Sequence, residues 1–68
     1  MQYAMIIEKG KDNYSAYFPD LPGCIATGKT LDELKSRMRE ALELHLKGMR
    51  EDGLPIPEPS LVDYIEAA

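Results

Sequence analysis

Sixty-eight residues make one domain, 1–68, that buries only ~60% of its unfolded surface and gains from self-association. The 44% hydrophobic content excludes a disordered chain, and the net charge of −4 lacks the basic stripe that nucleic-acid backbones require. That acidic balance suits a basic partner. Cys24 is the only cysteine, which excludes an internal disulfide and a small secreted disulfide scaffold. Glu8, Lys9, Lys11 and Asp12 cut off the apolar start before a signal peptide forms, and no apolar run reaches membrane-spanning length. The expected compartment is the cytoplasm, with no membrane contact.

Tyr3 to Glu8 reads as a first strand, and Lys9 to Asn13 as a polar, glycine-containing connection of hairpin length. Tyr14 to Phe18 is a second, aromatic and apolar strand. A stiff turn follows, in which Pro19 and Pro22 bracket Asp20 and Leu21, and Gly23 releases the chain into a short third strand, Cys24 to Thr27. Gly28 is read as the residue that breaks this strand. Short connections between consecutive strands predict an antiparallel meander.

Thr30 is placed as a helix N-cap, with Glu33 at the capping-box spacing and Asp32 and Glu33 where the helix dipole favours negative charge. Gly53 is placed to end the helix, and Pro55 prevents its resumption. Gly48 is the weak point, at which the last turn is expected to fray. Leu31, Leu34, Met38, Leu42, His45 and Met49 recur at helical spacing, and Glu33–Arg37 and Glu43–Lys47 have the favourable i,i+4 order. Pro55, Pro57 and Pro59 then force an extended crossing. Leu61 to Ile65 offers a fourth short strand, with a helix capped by Ser60 as the alternative. The fold class is α+β, βββαβ, with the helix packed on one face of the sheet.

One helix covers one face. The first strand is apolar on both, with Tyr3, Met5 and Ile7 opposite Ala4 and Ile6, and the hairpin register decides which set meets the helix. Apolar side chains remain uncovered either way, which predicts a homodimer or higher homo-oligomer through the bare face or an edge.

The residues that carry chemistry do not converge. His45, the only histidine, lies on the apolar helix face with no second metal ligand beside it. Asp20 sits between two prolines, where an aspartate usually bonds nearby backbone N–H groups. Asp12 and Asp20 stand at opposite ends of the second strand and do not pair on a metal. Cys24 has no neighbouring base and reads as a small core residue. Gly23 to Thr30 fits a phosphate-loop pattern on paper, but its Cys24–Thr27 interior reads as a strand. The sequence predicts no catalytic residue, no cofactor and no metal site. A small metal-dependent hydrolase using Asp20 or His45, and a stand-alone oligomeric regulator, are the competing readings.

Three stretches together resemble the HicB-like antitoxins: Tyr14 to Leu34 (YSAYFPDLPGCIATGKTLDEL), Glu40 to Leu46 (EALELHL) and Glu51 to Ser60 (EDGLPIPEPS). The resemblance implies a partial ribonuclease-H-like sheet without that enzyme's carboxylate cluster. It implies a binding protein and not an enzyme, one that occludes a small basic RNA-cleaving toxin of the HicA type. Family members commonly carry a C-terminal helix-turn-helix or ribbon-helix-helix segment that binds DNA. Residues 1–68 leave no room for one, so direct DNA binding by this chain is not expected. The toxin-facing surface is placed on the turn and its flanks: Tyr17, Phe18, Pro19, Asp20, Leu21, Pro22, Gly23 and Cys24.

Overall fold

The computed structural model describes residues Met1–Ala68. Three strands, β1 (Ile6–Lys9), β2 (Tyr14–Tyr17) and β3 (Ile25–Gly28), precede one helix, α1 (Leu31–Glu51). The sheet order is β1-β2-β3, antiparallel throughout, as the short connections predict. The Gly10 N–H donates to the Asn13 carbonyl at 2.8 Å and closes the first hairpin. The first strand begins to pair only at Ile6, opposite Tyr17, so Tyr3–Met5 lies upstream of the ladder.

The register assigns the two faces. Ala16 pairs with Ile7 and Ala26, and Tyr14 with Gly28, on the side that α1 covers. Ala16, Phe18, Leu21, Cys24, Leu34 and Met38 form the buried core, with Tyr3, Met5, Tyr14, Ala26, Ala41, Leu42, Leu46 and Met49 packed against it. The opposite face carries Ile6, Tyr17 and Ile25 in one cross-strand row, all exposed.

The helix starts where its cap predicts. Thr30 is extended, and its hydroxyl accepts from the Glu33 N–H at 3.1 Å. The reciprocal half of the capping box does not form: the Glu33 carboxylate turns to Arg37, with Oε1 2.7 Å from Nη2. Of the two expected i,i+4 pairs only this one is closed. The helix does not fray at Gly48; it runs on to Glu51, with Asp52 as C-cap. Gly53 takes φ +69°, its N–H donates to Arg50, and the Leu54 N–H reaches back to Met49 at 2.8 Å. This pair of bonds is a Schellman closure, which needs the left-handed conformation that glycine adopts without strain.

Two expectations are corrected. Gly28 does not break β3 but is its last residue, buried and paired with Tyr14. A β-carbon there would lie 2.7 Å from the Leu34 nitrogen, so the glycine allows the strand to approach the first turn of α1. The fourth strand expected over Leu61 to Ile65 is not formed, and neither is the alternative helix: residues 54–68 have no regular secondary structure. The physical reason lies in the donors. Pro55, Pro57 and Pro59 have no N–H to give a ladder. The N–H groups of Ser60 and Tyr64 go to carboxylates, of Asp20 at 2.9 Å and Asp63 at 2.8 Å respectively.

Candidate protein-interaction surface

The segment between β2 and β3 is two β-turns in succession. The Leu21 N–H donates to the Phe18 carbonyl at 3.0 Å, and the Cys24 N–H to the Leu21 carbonyl at 3.1 Å. Pro19 leads the first turn. The second has Pro22 followed by Gly23 at φ +85°, the residue order of a type II turn. The three-residue step turns Phe18, Leu21 and Cys24 inward, and all three are buried. Pro19, Pro22 and Gly23 face solvent. Of the eight residues that the sequence placed at the partner surface, Phe18, Leu21 and Cys24 therefore lie buried beneath the turn, while Tyr17, Pro19, Pro22 and Gly23 are exposed. Burial pushes the Cys24 thiol pKa above its ordinary value, as expected of a core residue and not of a nucleophile.

Asp20 has a structural partner that lies far away in sequence. Its carboxylate accepts from the Ser60 hydroxyl and from the Ser60 N–H. The hydroxyl bond first, then the backbone bond, lowers the Asp20 pKa, against a small opposing effect of burial. Nearby, the Tyr3 hydroxyl donates to the Pro57 carbonyl at 2.6 Å. These clasps hold the proline crossing against the turn and the start of the chain. The expectation that Asp20 bonds backbone nearby is half right: it bonds backbone, but forty residues on.

Tyr17 lies next to this turn, on the uncovered face, between Ile6 and Ile25. Ile25 is 68% exposed. A row of two isoleucines and a tyrosine beside a proline-stiffened turn is an apolar, preshaped surface, of the kind that marks a protein partner. No group of three or more histidine, cysteine or carboxylate side chains is placed to hold a metal ion. His45 is half-buried on the flank of α1, and no ion pair or side-chain hydrogen bond ties it to Asp20. Gly23–Thr30 runs through β3 into the helix cap, so Ile25–Gly28 is paired strand and not the free loop that a phosphate-binding motif needs. No helix is long and apolar enough to cross a membrane.

Comparison with known proteins decides what kind of scaffold this is. Residues 3–68 match the family described as the HicB_like antitoxin of bacterial toxin-antitoxin system. The chain belongs to the HicB-like antitoxin family. It is 46% identical over 56 residues to a UPF0150 protein of Archaeoglobus fulgidus, covering 78% of this chain and 81% of that one. It is 38% identical over 63 residues to an uncharacterized 14.9 kDa protein from the rep-hol intergenic region of Haemophilus phage HP1. That match takes in 93% of this chain but 47% of the phage protein, so the chain spans about half its length. Among solved structures, a chain of the HicA3 and HicB3 toxin-antitoxin complex superposes with a TM-score of 0.75 at 30% identity, covering 88% of this chain and 70% of that one.

Proposed function

We propose that this chain neutralises a small basic RNA-cleaving toxin of the HicA type by binding over it, and that it acts in the cytoplasm. The observation that carries the reading is the superposition on a chain from a HicA3–HicB3 complex at 30% identity. The net charge of −4 supports it, because an acidic protein attracts a basic one and speeds their encounter. In this reading the contact surface is the row Ile6, Tyr17 and Ile25, extended by Pro19, Pro22 and Gly23. Asp20 lies behind it, engaged with Ser60. The turn is rigid, so it meets the toxin without paying to become ordered. The chain also self-associates as a homodimer, because its small core leaves large apolar side chains exposed.

Co-expression with a short basic protein encoded at the same locus tests the neutralisation. Growth rescue with a co-purifying complex is the expected result, and Tyr17→Ala with Ile25→Ser should weaken both. Absence of rescue and of complex, with RNA cleavage by this chain alone, overturns the reading.

A further inference from the structure

Leu61, Val62, Tyr64 and Ile65 are apolar and exposed, Tyr64 at 88% and Ile65 at 96%. Their backbone is equally unpartnered. The N–H groups of Leu61, Val62, Asp63 and Ile65 donate to nothing in the chain, and that of Tyr64 reaches only the adjoining Asp63 side chain. The segment is fixed only at its root, where Ser60 bonds Asp20 and Pro57 bonds Tyr3. The Cα radius of gyration is 13.4 Å, against the ~11 Å expected of a compact chain of this length.

A second unpartnered stretch lies beside it. Tyr3–Met5 runs upstream of the first paired residue of β1, and Tyr3 to Ile7 contains no charge, proline or glycine to protect an edge. The two stretches flank an open cleft of about 420 Å³, whose walls are mainly apolar side chains including Tyr3, Met5, Ile6, Leu61 and Val62. The other edge of the sheet is less bare, since Arg37 Nη1 donates to the Thr27 carbonyl of β3 at 3.0 Å.

We propose that Leu61–Ile65 of one copy adds as a strand to the Tyr3–Ile7 edge of a second copy, whose own segment returns the contact. The proposal rests on the self-association stated above and names its surface. One chain carries both halves of the interface: a β-forming apolar segment with free backbone donors, and a bare apolar edge next to its root. A two-fold exchange uses both at once and leaves no copy with an open end. A basic toxin is the poorer occupant, because Asp63 is the only charge in the segment. The area suffices. Four apolar side chains at roughly 100 Å² each, with a matching area on the receiving edge, bury ~800 Å² per partner, the size of a standard stable interface.

Sedimentation equilibrium of the 68-residue chain from micromolar concentration upward tests it, beside the double variant Tyr64→Ser, Ile65→Ser and the sheet-face variant Ile25→Ser. All three positions are exposed in the single chain, so folding is retained, which far-UV circular dichroism checks. The expected result is a dimer that the double variant weakens at least about a hundredfold and Ile25→Ser leaves within threefold. A dimer weakened by Ile25→Ser and indifferent to the double variant overturns the strand exchange while keeping self-association. A wild-type monomer at several hundred micromolar overturns both.

Discussion

Gly28→Ala is the smallest change that separates a strand-ending glycine from one that permits close packing. The added β-carbon would stand 2.7 Å from the Leu34 nitrogen, 3.0 Å from its Cα and 3.3 Å from the Glu33 carbonyl carbon, all of them helix backbone. No side chain can swing away to make room. Restoring ordinary contact requires the first turn of α1 to retreat by roughly 0.7 Å, a gap that forfeits a quarter to a half of each dispersion contact it opens. The retreat would open contacts around Leu34 and Met38, which are fully buried. Overpacking of this kind costs about 1–3 kcal/mol, and with the lost core contacts we expect ~2–3 kcal/mol. A chain of this size has only ~3–10 kcal/mol to lose, so Tm should fall by roughly 10–20 °C. Urea and thermal unfolding followed by far-UV circular dichroism measure it, at one fixed protein concentration because self-association shifts apparent stability. Gly48→Ala is the internal control. It is helical, its β-carbon meets nothing within 4 Å, and the change should stabilise by up to ~1 kcal/mol. A Gly28→Ala variant as stable as wild type would refute the close-packing argument.

Three further outcomes are expected. Thr30→Ala removes the acceptor of the Glu33 N–H and should cost ~1 kcal/mol in the same unfolding assay; an unchanged midpoint would mean that the cap contributes nothing. The Asp20 pKa is lowered in the folded state by its two bonds from Ser60, so the clasp stabilises above the unfolded carboxylate value near ~4 and is lost as pH falls through the lower folded value. The Ser60 amide NMR signal should therefore move only in that acid window and shift at neutral pH in Asp20→Asn, and a signal indifferent to both would show that the clasp is not formed in solution. Cys24 is buried with its thiol pKa pushed up, so it should resist alkylation at pH 8 in the native protein and react once urea unfolds the chain. Native labelling at the rate of a free thiol would contradict its place in the core.

What the sequence discloses follows from how local each cause is. The ends of the helix were legible because Thr30, Glu33 and Gly53 act within one turn of themselves. The strands and their order were legible because the connections between them are short. The face of the sheet that meets the helix was not. It depends on the pairing of Ile7 with Ala16, and a shift of one residue would have sent Tyr17 inward instead. Gly28 was misread because glycine carries the same letter whether it ends a strand or lets a helix approach one. The bond from Ser60 to Asp20 joins residues forty apart, and no pattern in either neighbourhood announces it.

The turn between β2 and β3 divides the candidate surface into buried and exposed residues. A proline-rich stretch rich in apolar residues invites a reading as one exposed recognition element. Its physical period is three, set by two consecutive turns, and that period divides it. Phe18, Leu21 and Cys24 are buried, while Pro19, Pro22 and Gly23 remain outside. The inward set explains how so short a chain holds a rigid surface at all. Only seven residues are buried, and three of them come from this turn. In most domains a connection of this length runs over the surface and adds little to the core. Here the connection supplies half of the buried hydrophobic residues, and its outward side inherits their rigidity. The same economy leaves Ile6, Tyr17, Ile25 and the segment after Ser60 uncovered. One helix covers one face of three strands, and no second layer exists to hide them.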